Sequence, residues 1–71
     1  MVKLLYDLIK QNNILQVHVS KSIIDHKLLY FSNYFYYNNN INTLFWGVYN
    51  EEDVKLIISH KGSKLIYWHD N

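Results

Sequence analysis

Residues 43–69, TLFWGVYNEEDVKLIISHKGSKLIYWH, scan as strand, helix, strand, and this unit decides the fold. Residues 44–49 are rich in aromatic and β-branched side chains, which favour a strand. Asn50 is placed to cap a helix, because its side-chain oxygen can accept from an N–H that the first turn leaves unpaired. Glu51, Glu52 and Asp53 then put negative charge where the helix dipole favours it. Val54, Ile57 and Ile58 fall at i, i+3 and i+4 and are expected to form the buried face. His60 and Lys61 follow as cations near the last carbonyls, and Gly62 as a left-handed stop. Leu65, Ile66, Tyr67 and Trp68 run apolar without alternation, so a strand buried on both faces is expected, as in a parallel sheet. About a dozen residues separate the two strands, enough for a βαβ crossover.

Working toward the N-terminus, residues 33–43 read NYFYYNNNINT, and the Asn run at 38–40 predicts a surface loop. Tyr34, Phe35, Tyr36 and Tyr37 precede it. Such a run either packs alternate rings on the core or forms a patch for a partner, in which case Tyr34, Tyr36 and Tyr37 are the partner-binding residues. Residues 21–33 fit two readings. Ile23, Ile24, Leu28, Leu29 and Phe31 can share a helical face with a start near Ser22 and Asp25, or residues 28–31 can be a strand. The helix is favoured because it makes a second βαβ unit. Residues 14–20, ILQVHVS, alternate Leu15, Val17 and Val19 with Gln16, His18 and Ser20, which predicts a strand with one covered face. Residues 2–11 put Leu4, Leu5, Leu8 and Ile9 on one side of a short amphipathic helix, which Asn12 and Asn13 end.

The expected architecture is therefore one small α/β domain over residues 1–71. It has a short, mostly parallel sheet, a Rossmann-like arrangement of two or three layers and a C-terminal βαβ unit. A chain of 71 residues buries only about 60% of its unfolded surface, so its stability is marginal. The 49% hydrophobic content, with two Trp, seven Tyr and three Phe, is enough for a packed core and argues against disorder. Cysteine is absent, which rules out disulfides and thiolate metal sites. Ala, Arg and Pro are also absent while Asn, Ile, Lys and Tyr abound, a bias toward AT-rich codons. A formal charge of +1 with no Arg gives no footprint for nucleic acid. No apolar run approaches the roughly 20 residues of a membrane span. The N-terminal segment carries Asp7 and Lys10 and lacks a cleavage site, so an intracellular location is expected.

Few residues carry an obvious chemical signal. His18, His26, His60 and His69 show no metal-ligand spacing, so no metal or other cofactor is expected. Ser20, Ser22, Ser32, Ser59 and Ser63 lack the context of an activated nucleophile, and the Glu51–Glu52–Asp53 cluster is explained by the first helical turn, so no catalytic residue is assigned. Gly47, inside a strand with bulky neighbours, can mark a close backbone approach or a bulge. Asp70 follows the last strand, at the edge where open α/β sheets collect site residues.

Residues 43–71 resemble a segment in the N-terminal half of GT-B-class glycosyltransferases, including those of large DNA viruses. The shared features are a strand ending in Gly47 and an aromatic, an acidic helix start, the His60–Lys61–Gly62 turn and a strand running through Trp68 toward Asp70. Residues 15–37 match more loosely, and His69 stands where the family tends to have glycine. The resemblance implies two facing Rossmann-like lobes, with the nucleotide-sugar site mainly in the C-terminal one. This chain is then expected to be a truncated N-terminal lobe, inactive alone, in the host cytoplasm or virion of a giant virus. Gly47, Asn50, His69 and Asp70 are the implied acceptor-side contacts, and a C-terminal lobe is the implied partner. The alternative is a freestanding binding or self-assembly module that uses its aromatics and a sheet edge, as a homo-oligomer or with another protein.

Overall fold

A computed structural model describes residues 2–22 and 37–68. Helix α1 spans Val2–Gln11, strand β1 Gln16–Val19, strand β2 Thr43–Trp46, helix α2 Glu51–Ser59 and strand β3 Lys64–Tyr67. The three strands form one parallel sheet in the order β1-β2-β3. The chain is thus a small mixed α/β domain with β2 at its centre and α2 connecting β2 to β3. The expected helix or strand within residues 21–33 falls largely outside the described residues, as do Tyr34, Tyr36, His69 and Asp70.

Register fixes what each face carries. Val17 lies beside Leu44 and Leu44 beside Leu65, while Val19, Trp46 and Tyr67 form the next row. These side chains join Leu5, Leu8, Ile9 and Ile14 in one apolar cluster, so α1 covers this face with three members of the expected stripe, while the fourth, Leu4, is 40% exposed. The Trp46 and Tyr67 rings stack with centroids 4.3 Å apart. Asn13 ends the connection from α1 at a positive φ of 53°, a conformation Asn tolerates.

The opposite face carries Gln16, Thr43 and Lys64 in one row and His18, Phe45 and Ile66 in the next. Here three expectations are corrected. β1 is buried at every position, so the polar members of its alternation lie under cover rather than in water. β3 is not buried on both faces: as an edge strand it leaves Ile66 45% exposed, and the following Trp68 is 67% exposed. In α2, Val54 and Ile58 face solvent at 43% and 74% exposure, while Asp53 is only 3% exposed. The inward stripe is Asp53, Leu56, Ile57 and His60, at i, i+3, i+4 and i+7. The polar partners waiting for Asp53 and His60 set this rotation, because a buried polar group without a partner costs more than an exposed aliphatic one.

Gly62 is also corrected. Only Gly47 among the glycines has positive φ, at 86°. The helix ends instead at His60, an extended residue (φ −70°) whose N–H donates to the carbonyls of Leu56 and Ile57. Gly62 is needed for space: a Cβ there would lie 2.5 Å from the Ile41 carbonyl oxygen. The Asn-rich segment is held down on this glycine. Lys61 and Gly62 N–H donate to Asn39 O at 2.7 and 2.9 Å. Gln16 pairs its side-chain amide with the Asn38 backbone through two 2.8 Å bonds, and Asn42 donates to the carbonyls of Asn12 and Asn13. The exposed loop is thereby fixed to α1, β1 and the end of α2.

Candidate functional site

The site lies where β1 and β2 end and α2 begins. Parallel strands deliver their carboxyl ends to one edge, and in open α/β sheets this is the edge that binds ligands. Gly47, just past β2, donates its N–H to Tyr67 O at 3.0 Å and turns the chain toward Asn50. Asn50 caps α2, its Oδ1 accepting from Asp53 N–H at 2.8 Å, as its position predicts. Its Nδ2 donates to Ser22 Oγ at 2.8 Å, tying the cap to the segment after β1.

Asp53 is the hub. Its Oδ2 accepts from the Ser20 hydroxyl at 2.5 Å and from Tyr49 N–H at 3.0 Å. This is the third residue of the helix reaching back past the cap, a variant of the capping box. Its Oδ1 lies 3.6 Å from His18 Nε2. That separation exceeds a direct hydrogen bond. Burial lowers the pKa of His18 below its ordinary 6.5, and this outweighs the opposing pull of Asp53; Lys21 adds to the lowering and Glu52 opposes it. The imidazole is therefore neutral at neutral pH, beside an acceptor carboxylate.

These groups floor a groove of about 370 Å³ walled by Lys21, Glu52, Lys55, Leu56 and Ser59. At its rim Lys21 and Glu52 sit 3.6 Å apart with both side chains exposed, and Lys55 pairs with Glu51 at 3.7 Å. Exposed pairs of this kind add little stability, so they set local charge rather than hold the fold.

A second polar group adjoins the first. His60 Nε2 sits 2.8 Å from the Ile41 carbonyl, which can only accept, so Nε2 carries the proton. Nδ1 is then the acceptor for the Tyr37 hydroxyl at 2.5 Å. Phe45 stands edge-on to His60 at 5.2 Å, and Tyr37 edge-on to His18 at 6.3 Å, so four rings line this face of the sheet. His60 is thus an inward-facing residue rather than a surface cation at the helix end. Tyr37, named above as a partner-binding candidate, spends its hydroxyl on His60, and burial raises its pKa above 10.0.

Chemically the arrangement suits binding. The serine contacts the carboxylate and the imidazole contacts the carboxylate, in the order Ser20–Asp53–His18. A nucleophilic triad needs the imidazole in the middle, to take the serine proton. Among the described residues no group of three His, Asp or Glu is placed to hold a metal ion, and no helix is long and apolar enough to cross a membrane.

Of the four acceptor-side residues named from sequence, Gly47 and Asn50 stand at this edge, and His69 and Asp70 lie outside the described residues. Sequence reasoning passed over His18, Ser20 and Asp53. The signal that finds Asp53 is the stripe Asp53, Leu56, Ile57, His60, which puts a carboxylate on the same side of α2 as two aliphatic residues; nothing in that stripe points to His18 or Ser20. No family model, curated protein or solved structure matches this chain.

Proposed function

We propose that this chain is a binding lobe that takes a hydroxyl-bearing small molecule in the groove over His18 and Asp53. The observation that carries this reading is the 3.6 Å gap between Asp53 Oδ1 and His18 Nε2. A hydroxyl is the one common ligand group that both donates and accepts from a single atom. Seated above the gap, it donates to the carboxylate and accepts from a ring N–H, a bridge of the kind ordered water makes elsewhere. The carboxyl-end location on a parallel sheet supports the same reading, and so does the resemblance to GT-B-class glycosyltransferases, whose acceptors are hydroxyl compounds. In that frame the chain supplies acceptor-side surface, and catalysis belongs to a partner lobe bearing the nucleotide-sugar site.

The test is a ¹H–¹⁵N titration of the chain with methyl glycosides of glucose, galactose and N-acetylglucosamine. Shifts confined to Ser20, Lys21, Ser22, Glu52, Asp53 and Ser59, and lost in His18→Ala, are the expected result. Absence of shifts with all three sugars, or shifts placed elsewhere, overturns the reading.

A second reading is favoured by the edge strand. Ile66 and Trp68 leave large apolar area exposed on and beside β3, an edge strand of the sheet among the described residues, and sheet edges template pairing. Pairing with a second copy through β3 predicts a concentration-dependent dimer by light scattering that Ile66→Lys abolishes. A monomer at all concentrations eliminates it.

A further inference from the structure

Resting on the edge-strand reading above, we infer that β3 recognises itself: it pairs antiparallel with β3 of a second copy, in the register that sets Ile66 opposite Ile66 and Lys64 opposite Trp68. The backbone decides which residues can take part. Thr43 N–H donates to Ser63 O and Gly47 N–H to Tyr67 O, while Phe45 lies in register with Ile66. A strand turns the N–H and C=O of successive residues to opposite sides, so Ser63, Leu65 and Tyr67 turn theirs toward β2. Lys64, Ile66 and Trp68 turn theirs the other way, and β3 is the last strand on that side of the sheet among the described residues. Among the described residues no turn, loop or cap bond reaches the backbone of these three.

Their side chains share one face of the sheet by the same alternation, and all three are exposed. The position of α2 explains this. Its Asp53 reaches Ser20 and His18, and its His60 rests against Phe45 and the Ile41 carbonyl. α2 therefore leans over β1 and β2, and the β3 flank of the same face is left bare.

The chemistry of this edge is complementary to itself. Two copies joined through the same edge in a closed pair are related by a two-fold axis, which runs the strands antiparallel. Residues whose polar backbone points outward then meet as hydrogen-bonded pairs, with Cα atoms about 5.5 Å apart. Centred on Ile66, the ladder pairs all three residues with one another. Ile66 packs on Ile66 of the second copy. The Lys64 ammonium lies over the indole of Trp68 of the second copy, and the contact repeats across the axis. The next register in either direction pairs Ile66 with Lys64 or with Trp68 and leaves the third residue with no opposite among them. A register centred on Lys64 sets two ammonium groups against each other. An edge lysine normally blunts pairing with indiscriminate strands; here it favours a partner that offers an aromatic ring opposite it. The two-fold stands normal to the sheet, so both α2 helices lie on one side, away from the axis.

Sedimentation equilibrium of the whole chain and three variants tests this. The parent is expected to dimerise. Lys64→Glu takes the cation from the indole, and Trp68→Lys sets lysine opposite lysine, so each is expected to weaken the dimer at least about fivefold. The double variant Lys64→Glu/Trp68→Lys sets a glutamate opposite a lysine on both sides of the axis and is expected to recover most of the lost affinity. Both positions are exposed, so the monomer fold is expected to persist, with a ¹H–¹⁵N spectrum unchanged away from β3. A parent that dimerises while the single variants lose nothing, or while the double variant recovers nothing, overturns the register and leaves pairing with a second copy standing. A parent that stays monomeric at every concentration overturns both and leaves the edge to a strand of another protein.

Discussion

The Asp53 carboxylate in the first turn of α2 accepts the Ser20 hydroxyl at the end of β1, at 2.5 Å and across 33 residues of chain. α2 connects β2 to β3, so backbone continuity alone does not bind it to β1. The bond ties the helix to the far strand and sets the helix rotation. It also brings the carboxylate to the groove floor beside His18, so the contact that organises packing organises the site as well.

Replacing Asp53 tests this directly. Asp53→Ala removes the acceptor of the Ser20 hydroxyl and of the Tyr49 N–H, and it takes away the carboxylate beside His18. The expected loss is about 2–4 kcal/mol. Glu52→Ala, one residue earlier and exposed, is expected to stay within about 0.5 kcal/mol. Urea unfolding of the two variants decides the matter, and equal losses would show that Asp53 acts only as another first-turn acid.

Stability should also depend on pH through His18. Its folded-state pKa lies below the ordinary 6.5, because burial disfavours the imidazolium. As pH falls below 6.5, the unfolded chain takes up a proton that the folded chain refuses. The unfolded state then binds more protons, so stability falls as pH falls and is restored above the unfolded value. Asp53 and Glu52 favour the charged ring and Lys21 opposes it, so the net effect is smaller than burial alone would give. His18→Gln should flatten this part of the stability profile. A variant with the same slope as the parent would assign the slope to other histidines.

Most of the scaffold is legible in the sequence. Leu5, Leu8 and Ile9 reveal α1 by period, Asn50 marks the start of α2, and the runs 44–49 and 65–68 overlap two strands of the sheet, Thr43–Trp46 and Lys64–Tyr67. What is not legible is which face each element turns inward. Periodicity reports hydrophobicity, and it therefore chose Val54 and Ile58 over Asp53 in α2. A buried carboxylate looks polar in sequence until its partners are known, and those partners, Ser20 and His18, stand over thirty residues away. The same blindness hid the inner polar side of β1, where Gln16, His18 and Ser20 read as a wet face. Strand position had a similar effect on Ile66 and Trp68, since nothing local distinguishes an edge strand from a central one.

The rotation of α2 has a testable surface consequence. Val54→Thr and Ile58→Lys replace residues that the helical pattern alone assigns to the core. Both face solvent, so each is expected to change stability by no more than about 0.5 kcal/mol. Leu56→Ala and Ile57→Ala, on the inward stripe, should each cost more, short of the roughly 2–5 kcal/mol of a fully buried residue because both are half-buried. If the Ile58 variant unfolds while the Leu56 variant does not, the helix faces the other way in solution.

The two glycines separate backbone conformation from space. Gly47→Ala forces an alanine to φ 86°, where L residues are disfavoured by roughly 1–2 kcal/mol, and the cost should be confined to that range. At Gly62 the φ is ordinary, but a methyl group meets Ile41 O at 2.5 Å and the Asn40 carbonyl carbon at 2.6 Å. These are backbone atoms, pinned by Asn39 O through Lys61 and Gly62 and by the ring of His60 through Ile41 O. The loop has to lift for the methyl to fit, and lifting it breaks those bonds. Gly62→Ala is therefore expected to cost at least as much as Gly47→Ala, on the order of 1–3 kcal/mol or more. It should also perturb amide shifts at Asn38, Asn39 and Ile41, which Gly47→Ala leaves in place. A Gly62→Ala protein with parental stability and an unchanged loop spectrum would mean that the Asn-rich segment is not held against the end of α2.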